Sequence, residues 1–370
     1  MAEVKNQKKL KIDVVIPSIR LDTKQLLSML RIDIPPNVEL HYYVVSDNPT
    51  LSSMSMIHDG HPVDLIVNSE DLGASLSRNV GMDLGTGDYI FFIDDDVTPS
   101  PDILYSYVSS IMEEPDAPGY VGPTKFPTPI NSFTRGICAS DILTFFDISL
   151  TRKWVAWGTT SNLLISRKKV GDIRFSSMFP KHGGGEDIDF CLRIIEKNNK
   201  WFKTVPTAVV SHNWWKNGHR TYTRFFRWAF GDSRLPNIYP KNRYYNFPNM
   251  LETLFLGIFI LLGLSLFGLF SLNSILAWIG SVVISEFIVE RIRVKIRYPD
   301  SSLKDSLEAT IVRLSNDLGR LVGSLWRGDK PGFFTRFDYF ITKESIPFER
   351  KISLTKFILF SSSLLLMYLT

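Results

Sequence analysis

The chain has 370 residues, a mass of 42.3 kDa, a formal net charge of +4 and two cysteines, Cys138 and Cys191. This length allows two or three domains with well-filled cores. The two distant cysteines exclude a disulfide scaffold and a CxxC metal knuckle or redox pair, and the modest charge does not indicate a nucleic-acid partner.

Residues 1–235 alternate strand-like and helix-like segments, which predicts an α/β fold with a mostly parallel sheet. The N-terminal segment Met1–Lys11 is basic, and the apolar run after it is shorter than a signal peptide needs, so we expect no export. The predicted strands are Ile12–Ile16, Leu40–Val45, Asp64–Val67, Tyr89–Ile93, Tyr120–Gly122, Asn162–Ile165 and Ala208–His212. The predicted helices include Lys24–Leu30, Ala74–Leu84 and Ile103–Met112.

The loop after the first predicted strand, Pro17–Asp22, contains no glycine. A dinucleotide fingerprint and a phosphate-binding P-loop both need glycines at this point. The sequence therefore disfavours a hydride-transfer enzyme and a P-loop NTPase.

Three acidic residues, Asp94, Asp95 and Asp96, follow the apolar strand Tyr89–Ile93. Ligands of open α/β sheets bind beyond the carboxyl ends of strands, and alternate residues point the same way, so Asp94 and Asp96 can converge. Adjacent carboxylates repel unless a cation neutralises them, and oxygen ligands favour Mg²⁺ or Mn²⁺. The alternative is a solvated acidic turn.

The segment upstream of these acids carries a glycine, then S-R-N-V-G, then G-D-Y-I-F-F-I-D-D-D, between positions 73 and 96. It closely resembles the nucleotide-sugar-binding half of family 2 glycosyltransferases, which are inverting enzymes with the GT-A fold. The resemblance implies a GT-A-type catalytic domain over residues 1–235, a nucleotide-sugar donor and a Mg²⁺ or Mn²⁺ cofactor.

The resemblance also implies roles for individual residues. Asp47 would read the base, although this chain has Ser46-Asp47-Asn48 where D-D-G-S is commoner, and Arg78 would face the nucleotide or its diphosphate rather than solvent. The implied donor-binding residues are Pro17, Asp47, Arg78, Asp94 and Asp95, and the implied metal ligands are Asp96, chiefly, with Asp94.

A second acidic site follows the glycines at 183–185. Inverting transfer to a hydroxyl needs a carboxylate base. Glu186 and Asp187 begin a helical segment and belong to an E-D-x-D-x-x-x-R pattern, completed by Arg193, that is similar to the family's signature. The resemblance implies that Asp187 is the base, with Glu186 in reserve. The alternative is that these acids only cap the helix.

Three other residues, nearer the C-terminus, are weaker candidates for the site. His212 ends a predicted strand. In several GT-A enzymes a histidine near this point binds the metal or the diphosphate, although a lone histidine is more often structural. The segment Arg224–Trp228 resembles the Q-x-x-R-W motif of polysaccharide synthases, with arginine replacing glutamine. The resemblance implies that Arg227 contacts the donor and Trp228 stacks on the acceptor sugar. The alternative is a basic aromatic helix on lipid headgroups.

The C-terminal third predicts membrane helices. Residues 253–285 contain no Asp, Glu, Lys or Arg and are too long for one span of about 30 Å. We predict a linker over 236–250, spans at 251–271 and 274–291, amphipathic helices over 292–351 and a possible third span at 352–370. Glu286 needs a partner or must snorkel, and Lys356 could snorkel. The leucines of Leu303–Trp326 recur at helical spacing, as in an interfacial or core-packed helix.

These patterns predict a multi-pass membrane protein. Basic residues flank both outer ends of the hairpin, so the catalytic domain is expected on the cytoplasmic side. We expect an inverting, metal-dependent glycosyltransferase that acts on a lipid-linked or glycolipid acceptor in contact with membrane lipids. The alternatives are a processive polysaccharide synthase, a polyprenyl-phosphate glycosyltransferase and a membrane-tethered sugar-binding scaffold.

Overall fold

The computed structural model describes residues 9–369, without the side chains of 330, 331 and 366–369. Residues 1–8 of the predicted first domain and residue 370 of the predicted third span lie outside this part. The chain forms two compact units. The first comprises Met1–Thr128 and Thr144–Asn217, and the second comprises Pro129–Leu143 and Gly218–Thr370.

The elements are as follows. The strands are β1 Leu10–Ser18, β2 Val38–Ser46, β3 Met54–His58, β4 His61–Val67, β5 Tyr89–Ile93, β6 Val97–Pro99, β7 Gly119–Val121, β8 Thr124–Lys125, β9 Trp154–Val155, β10 Asn162–Ser166, β11 Phe202–Thr204, β12 Val210–His212, β13 Arg243–Tyr245 and β14 Thr335–Phe337. The helices are α1 Thr23–Met29, α2 Ala74–Leu84, α3 Ile103–Glu113, α4 Ser132–Ala139, α5 Arg167–Val170, α6 Glu186–Asn198, α7 Thr223–Asp232, α8 Leu235–Ile238, α9 Met250–Ser265, α10 Leu272–Arg297, α11 Leu303–Trp326 and α12 Ile346–Leu369.

The first unit is built on a nine-stranded sheet with the order β3-β4-β2-β1-β5-β10-β7-β11-β9. Strands β4, β2, β1 and β5 are parallel to one another, whereas β10 runs antiparallel to β5. Both faces of β1 and β5 are buried, which explains why these strands read as continuous apolar runs. The predicted α/β fold with a mostly parallel sheet is confirmed.

Helix α2 lies very close to strand β1 at Gly81. A Cβ atom at this position would lie 2.5 Å from Val15 Cγ1, which is shorter than any real van der Waals contact. The glycine of the S-R-N-V-G segment therefore lets the helix approach the sheet, which fixes the position of Arg78 three residues earlier.

Replacing Gly81 with alanine should lower the free energy of unfolding by about 1–3 kcal/mol, the usual cost of overpacking. Thermal unfolding of the detergent-solubilised protein measures this change. Because the clash is with Val15, combining Gly81→Ala with Val15→Ala should cost less than the sum of the two single changes. Additive costs would contradict the close helix–strand contact.

The second unit contains the apolar helices. Within the described residues, α10 is the helix whose length and composition suffice to cross a membrane, and α9 is apolar but shorter. The predicted first span, 251–271, is too long, because the helix ends at Ser265 and the chain then turns through Gly268, whose φ is +73°. The 16 residues of α9 span about 24 Å.

Buried charges of the second unit are paired across its helices. Lys356 Nζ on α12 lies 2.6 Å from Glu286 Oε1 and 2.6 Å from Glu290 Oε1, both on α10. Glu252 on α9 likewise forms an ion pair with Arg320. Lys356 of α12 is therefore the partner that Glu286 was expected to need.

Helix α11 begins and ends where the leucine periodicity predicts, but only part of its leucine stripe is buried, including Leu321. It packs through small and polar residues, with Gly319 and Gly323 against α7. Leu307, Leu318 and Leu325 are exposed. Glycines permit a close helix–helix approach, so the small-residue face is covered and much of the apolar stripe is not.

Candidate active site

The carboxyl ends of β1, β2 and β5 meet at one edge of the parallel sheet, and polar residues follow each strand there. Ser18 ends β1, Asp47 follows β2, and Asp94–Asp96 follow β5. Strand β12 pairs with β6 so that His212 lies opposite Val97, next to the three acids. The first unit therefore gathers most of the predicted site residues at one edge.

Asp96 faces His212. Asp96 Oδ1 lies 3.3 Å from His212 Nε2, and Asp96 Oδ2 lies 3.1 Å from Arg20 Nη2. Burial opposes ionisation of Asp96, but His212 and Arg20 outweigh it and hold the pKa of this carboxyl below its ordinary value. Asp96 is therefore a carboxylate at neutral pH, which is the form that binds cations.

His212 is held rigidly by its surroundings. Its ring stacks on Phe126 with 5.0 Å between the centroids, its Nδ1 contacts the carbonyl oxygen of Asn213, and Trp215 Nε1 lies 3.1 Å from its Nε2. Nδ1 donates to the carbonyl and Nε2 accepts from the indole, so we assign the Nδ1–H tautomer. Nε2 is also the ring nitrogen that lies 3.3 Å from Asp96 Oδ1.

Asp94 and Arg78 form an ion pair close to Asp96. Arg78 Nη2 lies 2.6 Å from Asp94 Oδ1, and the guanidinium lies 5.7 Å from the centre of the Phe175 ring. Burial disfavours the charge of Arg78, but Asp94, Asp187 and Glu186 outweigh it and raise its pKa. Burial also raises the pKa of Asp94, an effect that Arg78 opposes. Arg78 is thus a buried cation in an acidic surrounding.

Asp95 is turned away from this pair toward β1. Its Oδ2 accepts a hydrogen bond of 2.6 Å from Ser18 Oγ, and its carboxylate forms an ion pair with Arg20. Only 9% of Asp95 is exposed. The residue therefore joins the ends of β1 and β5.

Asp47 is enclosed by three hydrogen-bond donors, two from the loop after β4 and one from α2. Its Oδ1 accepts hydrogen bonds from Asn68 Nδ2 at 2.8 Å, from Ser77 Oγ at 2.7 Å and from the backbone N–H of Leu72 at 3.3 Å. These bonds join the end of β2 to the loop after β4 and to α2. Pro17 lies in β1 opposite Val45.

Asp187 lies in the first turn of α6 and is held by Thr160. The backbone N–H and the hydroxyl of Thr160 each donate to one carboxylate oxygen of Asp187 at 3.0 Å. Thr160 precedes β10, and β10 pairs antiparallel with β5 so that Asn162 lies opposite Ile93. Asp187 is thereby brought near the acids after β5, whereas the neighbouring Glu186 is largely buried.

The rest of the acidic motif has a structural arrangement. Gly183, Gly184 and Gly185 all have positive φ, which glycine adopts without strain. Asp189 Oδ2 accepts from Arg193 Nη2 at 2.7 Å, one turn later on the helix. The glycines thus shape the entry to α6, and the Asp189–Arg193 pair stabilises its first turns.

Arg227 and Trp228 lie on α7 in the second unit, and both are half-buried. The guanidinium of Arg224 lies 5.8 Å from the centre of the Trp228 ring. Their predicted roles toward donor and acceptor stay predictions.

The residues fit a divalent cation. Asp96 and His212 supply an oxygen and a nitrogen 3.3 Å apart, a donor pair that suits Mn²⁺ and, less well, Mg²⁺. Within residues 9–369, no group of three or more acidic, histidine or cysteine residues could hold a metal by itself. The other ligands would therefore be water and substrate phosphate oxygens, as Mg²⁺ sites commonly have.

Several contacts of this site were not predicted. Ser18 and Arg20 hold Asp95, Thr160 holds Asp187, and Phe175 lies beside Arg78. Ser18 and Arg20 follow the first strand at the expected edge, so position alone could have suggested them. Thr160 and Phe175 carry no local pattern.

The chain is similar to known proteins over part of its length. Residues 24–173 match the model of Glycosyl transferase family 2. A glucosyl-dolichyl phosphate glucuronosyltransferase of Haloferax volcanii is 46% identical over 55 residues, which are 15% of this chain and 18% of that protein. A hyaluronan synthase of Pasteurella multocida is 26% identical over 220 residues, 48% of this chain and 22% of that protein.

The crystal structure of S. aureus TarS 1–349 in complex with UDP has a TM-score of 0.41 and 12% identity, covering 86% of this chain and 92% of that chain. The alignments with the two curated relatives span about a fifth of each relative's own length.

Proposed function

Because this chain carries a glycosyl transferase family 2 domain, we propose that it transfers a sugar, with inversion, from a nucleotide-sugar donor to a lipid-linked or glycolipid acceptor. The observation that carries this proposal is the convergence of Asp96, His212, the Arg78–Asp94 pair and Asp187 at the carboxyl edge of one sheet. Such edges are where ligands of α/β proteins bind.

The proposed division of roles follows from the contacts. Asp96 and His212 would hold Mg²⁺ or Mn²⁺, which supplies positive charge to offset the charge on the leaving diphosphate. Arg78, a buried cation, would orient a phosphate or ribose oxygen from the other side. Asp47, Pro17 and Asp95 would shape the nucleoside pocket.

Asp187 would act as the base. Its carboxylate takes the proton of the acceptor hydroxyl while that oxygen forms a bond to the anomeric carbon, and the bond from this carbon to the diphosphate oxygen breaks with the electron pair going to the diphosphate. Because attack and departure occur on opposite faces, the configuration inverts. The two hydrogen bonds from Thr160 keep the carboxylate in one orientation.

The acceptor is proposed to be membrane-bound. The apolar helix α10 supports this, as do exposed apolar side chains such as Phe259 and Phe267 near the α9–α10 turn. We propose that α9 and α10 enter the membrane as a hairpin, with α12 beside them through Lys356, and that the basic flanks keep the catalytic unit cytoplasmic. One relative is named for a glucosyl-dolichyl phosphate, which favours a lipid-linked acceptor.

A polysaccharide synthase is the second candidate, because another relative is named hyaluronan synthase. The arginine in place of glutamine before Arg227-Trp228 argues against processive synthesis. The length distribution of the product separates the two: one added sugar supports single transfer, and a ladder of lengths supports a synthase.

The experiment is incubation of the detergent-solubilised protein with nucleotide sugars, Mn²⁺ and native lipid extract, followed by mass spectrometry. We expect a lipid whose mass rises by one sugar residue. Donor binding without any product from any donor would instead indicate a sugar-binding scaffold and would overturn the proposal.

A further inference from the structure

Two arginines meet at the ends of packed helices in the second unit. Arg234 lies between α7 and α8, and Arg327 follows the last residue of α11. Helix α11 approaches α7 closely through Gly323, where a side chain would collide with Ser233. Arg327 Nη2 donates a hydrogen bond of 2.5 Å to Ser233 Oγ. The packing of these helices therefore places the Arg327 guanidinium beside Ser233, the residue that precedes Arg234.

The guanidinium groups of this arginine pair are not satisfied by the protein. The Nε of Arg234 and both the Nε and the Nη1 of Arg327 are shielded from solvent and have no hydrogen-bond partner in the described part of the chain. Shielded donors without acceptors are costly, and they usually indicate a water or ion at the site.

The two positive charges also repel each other. Burial, and then the charge of Arg234, lower the pKa of Arg327, whereas Asp329 acts in the opposite direction. Asp329 Oδ2 accepts a hydrogen bond of 2.8 Å from Asn237 Nδ2, and the single negative charge of this carboxylate cannot balance two guanidinium groups. An anion with several oxygens would satisfy the orphaned donors and remove the repulsion.

The surroundings indicate an anion that carries an apolar group. The last turn of α11, next to Arg327, exposes Leu325 and 81% of Trp326. Leu318, two turns earlier, is also exposed. A tryptophan beside basic residues is typical of a membrane–water interface. A free anion would gain nothing from these apolar side chains.

We propose that Arg234 and Arg327 bind the phosphate group of a membrane lipid, with the apolar part of that lipid against Leu325 and Trp326. This proposal rests on the membrane attachment proposed above and is independent of the transfer reaction. The site would hold the second unit at the level of the lipid headgroups.

The test is titration of the full chain in neutral detergent with dihexanoyl phosphatidic acid, followed through tryptophan fluorescence and native mass spectrometry. We expect saturable binding of one lipid and none of uncharged dihexanoylglycerol. Arg234→Gln and Arg327→Gln should each weaken binding about tenfold or more, because each removes charge-assisted hydrogen bonds. The matched control is Lys304→Gln, an exposed cation in the first turn of the same helix, which should leave the affinity unchanged.

Four outcomes would overturn the proposal. Equal weakening by Lys304→Gln would mean general charge attraction, and equally tight binding of inorganic phosphate would mean a free anion rather than a lipid. Absence of phosphatidic acid binding would remove the site. If Arg327→Gln lowered the unfolding temperature by several degrees more than Ser233→Ala, which removes the same hydrogen bond, Arg327 would be a structural residue rather than a lipid ligand.

The transfer reaction is tested separately. Asp96→Asn, which should be inactive in transfer, should bind phosphatidic acid as the original protein does. A failed activity assay therefore leaves the lipid result readable, and a failed lipid titration leaves the glycosyltransferase proposal standing.

Discussion

Replacing Asp96 with asparagine should reduce sugar transfer about 10³-fold, because the amide cannot supply the negative charge that a divalent cation requires beside His212. The geometry is preserved, since asparagine has nearly the same shape and can still accept a hydrogen bond from Arg20. The measurement is the initial rate with the productive nucleotide sugar over a range of Mn²⁺ concentrations. The variant should also need much more Mn²⁺ for half-maximal binding of the nucleoside diphosphate.

The matched control for this change is Asp116→Asn. Asp116 is a strongly exposed carboxylate in the same unit, and its contact with Lys169 Nζ is long, at 3.7 Å. It should retain the full rate. If Asp96→Asn kept the full rate as well, the proposed metal-binding role of Asp96 would be wrong. His212→Gln should lie between the two, because a neutral ligand contributes less charge than a carboxylate.

The parts of the fold that the sequence predicts well are those with a strong local pattern. Strand β5 and helix α2 have the predicted bounds, because a fully buried strand reads as an unbroken apolar run and a helix of eleven residues has a clear period. The predicted bounds of α11 are likewise correct at both ends, and Ser302 caps its first turn.

The parts that escape prediction depend on distant residues. Strands β6 and β8 are three and two residues long and exist because each pairs with β12 within the first unit. So short a segment has no measurable periodicity. The same holds for the site: Thr160 contacts Asp187 only because β10 pairs with β5, which no local pattern around Thr160 reveals.

The uncharged stretch from residue 253 to residue 285 shows a different limit of prediction. Hydropathy gives the uncharged stretch but not the point where a helix stops, and Ser265 lies six residues before the predicted end of the first span. The local reason is backbone conformation at Gly268, which composition does not encode. Periodicity likewise predicts the apolar stripe of α11 but not which of its residues are buried. Gly319 and Gly323 let α7 pack closely on another face of the helix, and this contact leaves no periodic signal.

Replacing Asp187 with asparagine should lower kcat for a hydroxyl acceptor by about 10² to 10⁴, the contribution expected of a positioned general base. The affinity for the donor should change little, because the amide oxygen can still accept from Thr160. The measurement is kcat and KM for each substrate. Thr160→Val, which removes one of the two bonds that orient the carboxylate, should lower kcat less than Asp187→Asn does, and Thr160→Ser should restore most of it.

The control for Asp187→Asn is Glu196→Gln, which changes an exposed carboxylate on the same helix and should leave kcat unchanged.

The acceptor decides how the result for Asp187→Asn is interpreted. A hydroxyl must lose its proton during attack, whereas a phosphate oxygen is already ionised at neutral pH and needs no base. If Asp187→Asn kept kcat within about tenfold, the base assignment would be wrong. A product with the sugar attached directly to a lipid phosphate would then identify the polyprenyl-phosphate alternative, with Asp187 serving Arg78 as a charge partner instead.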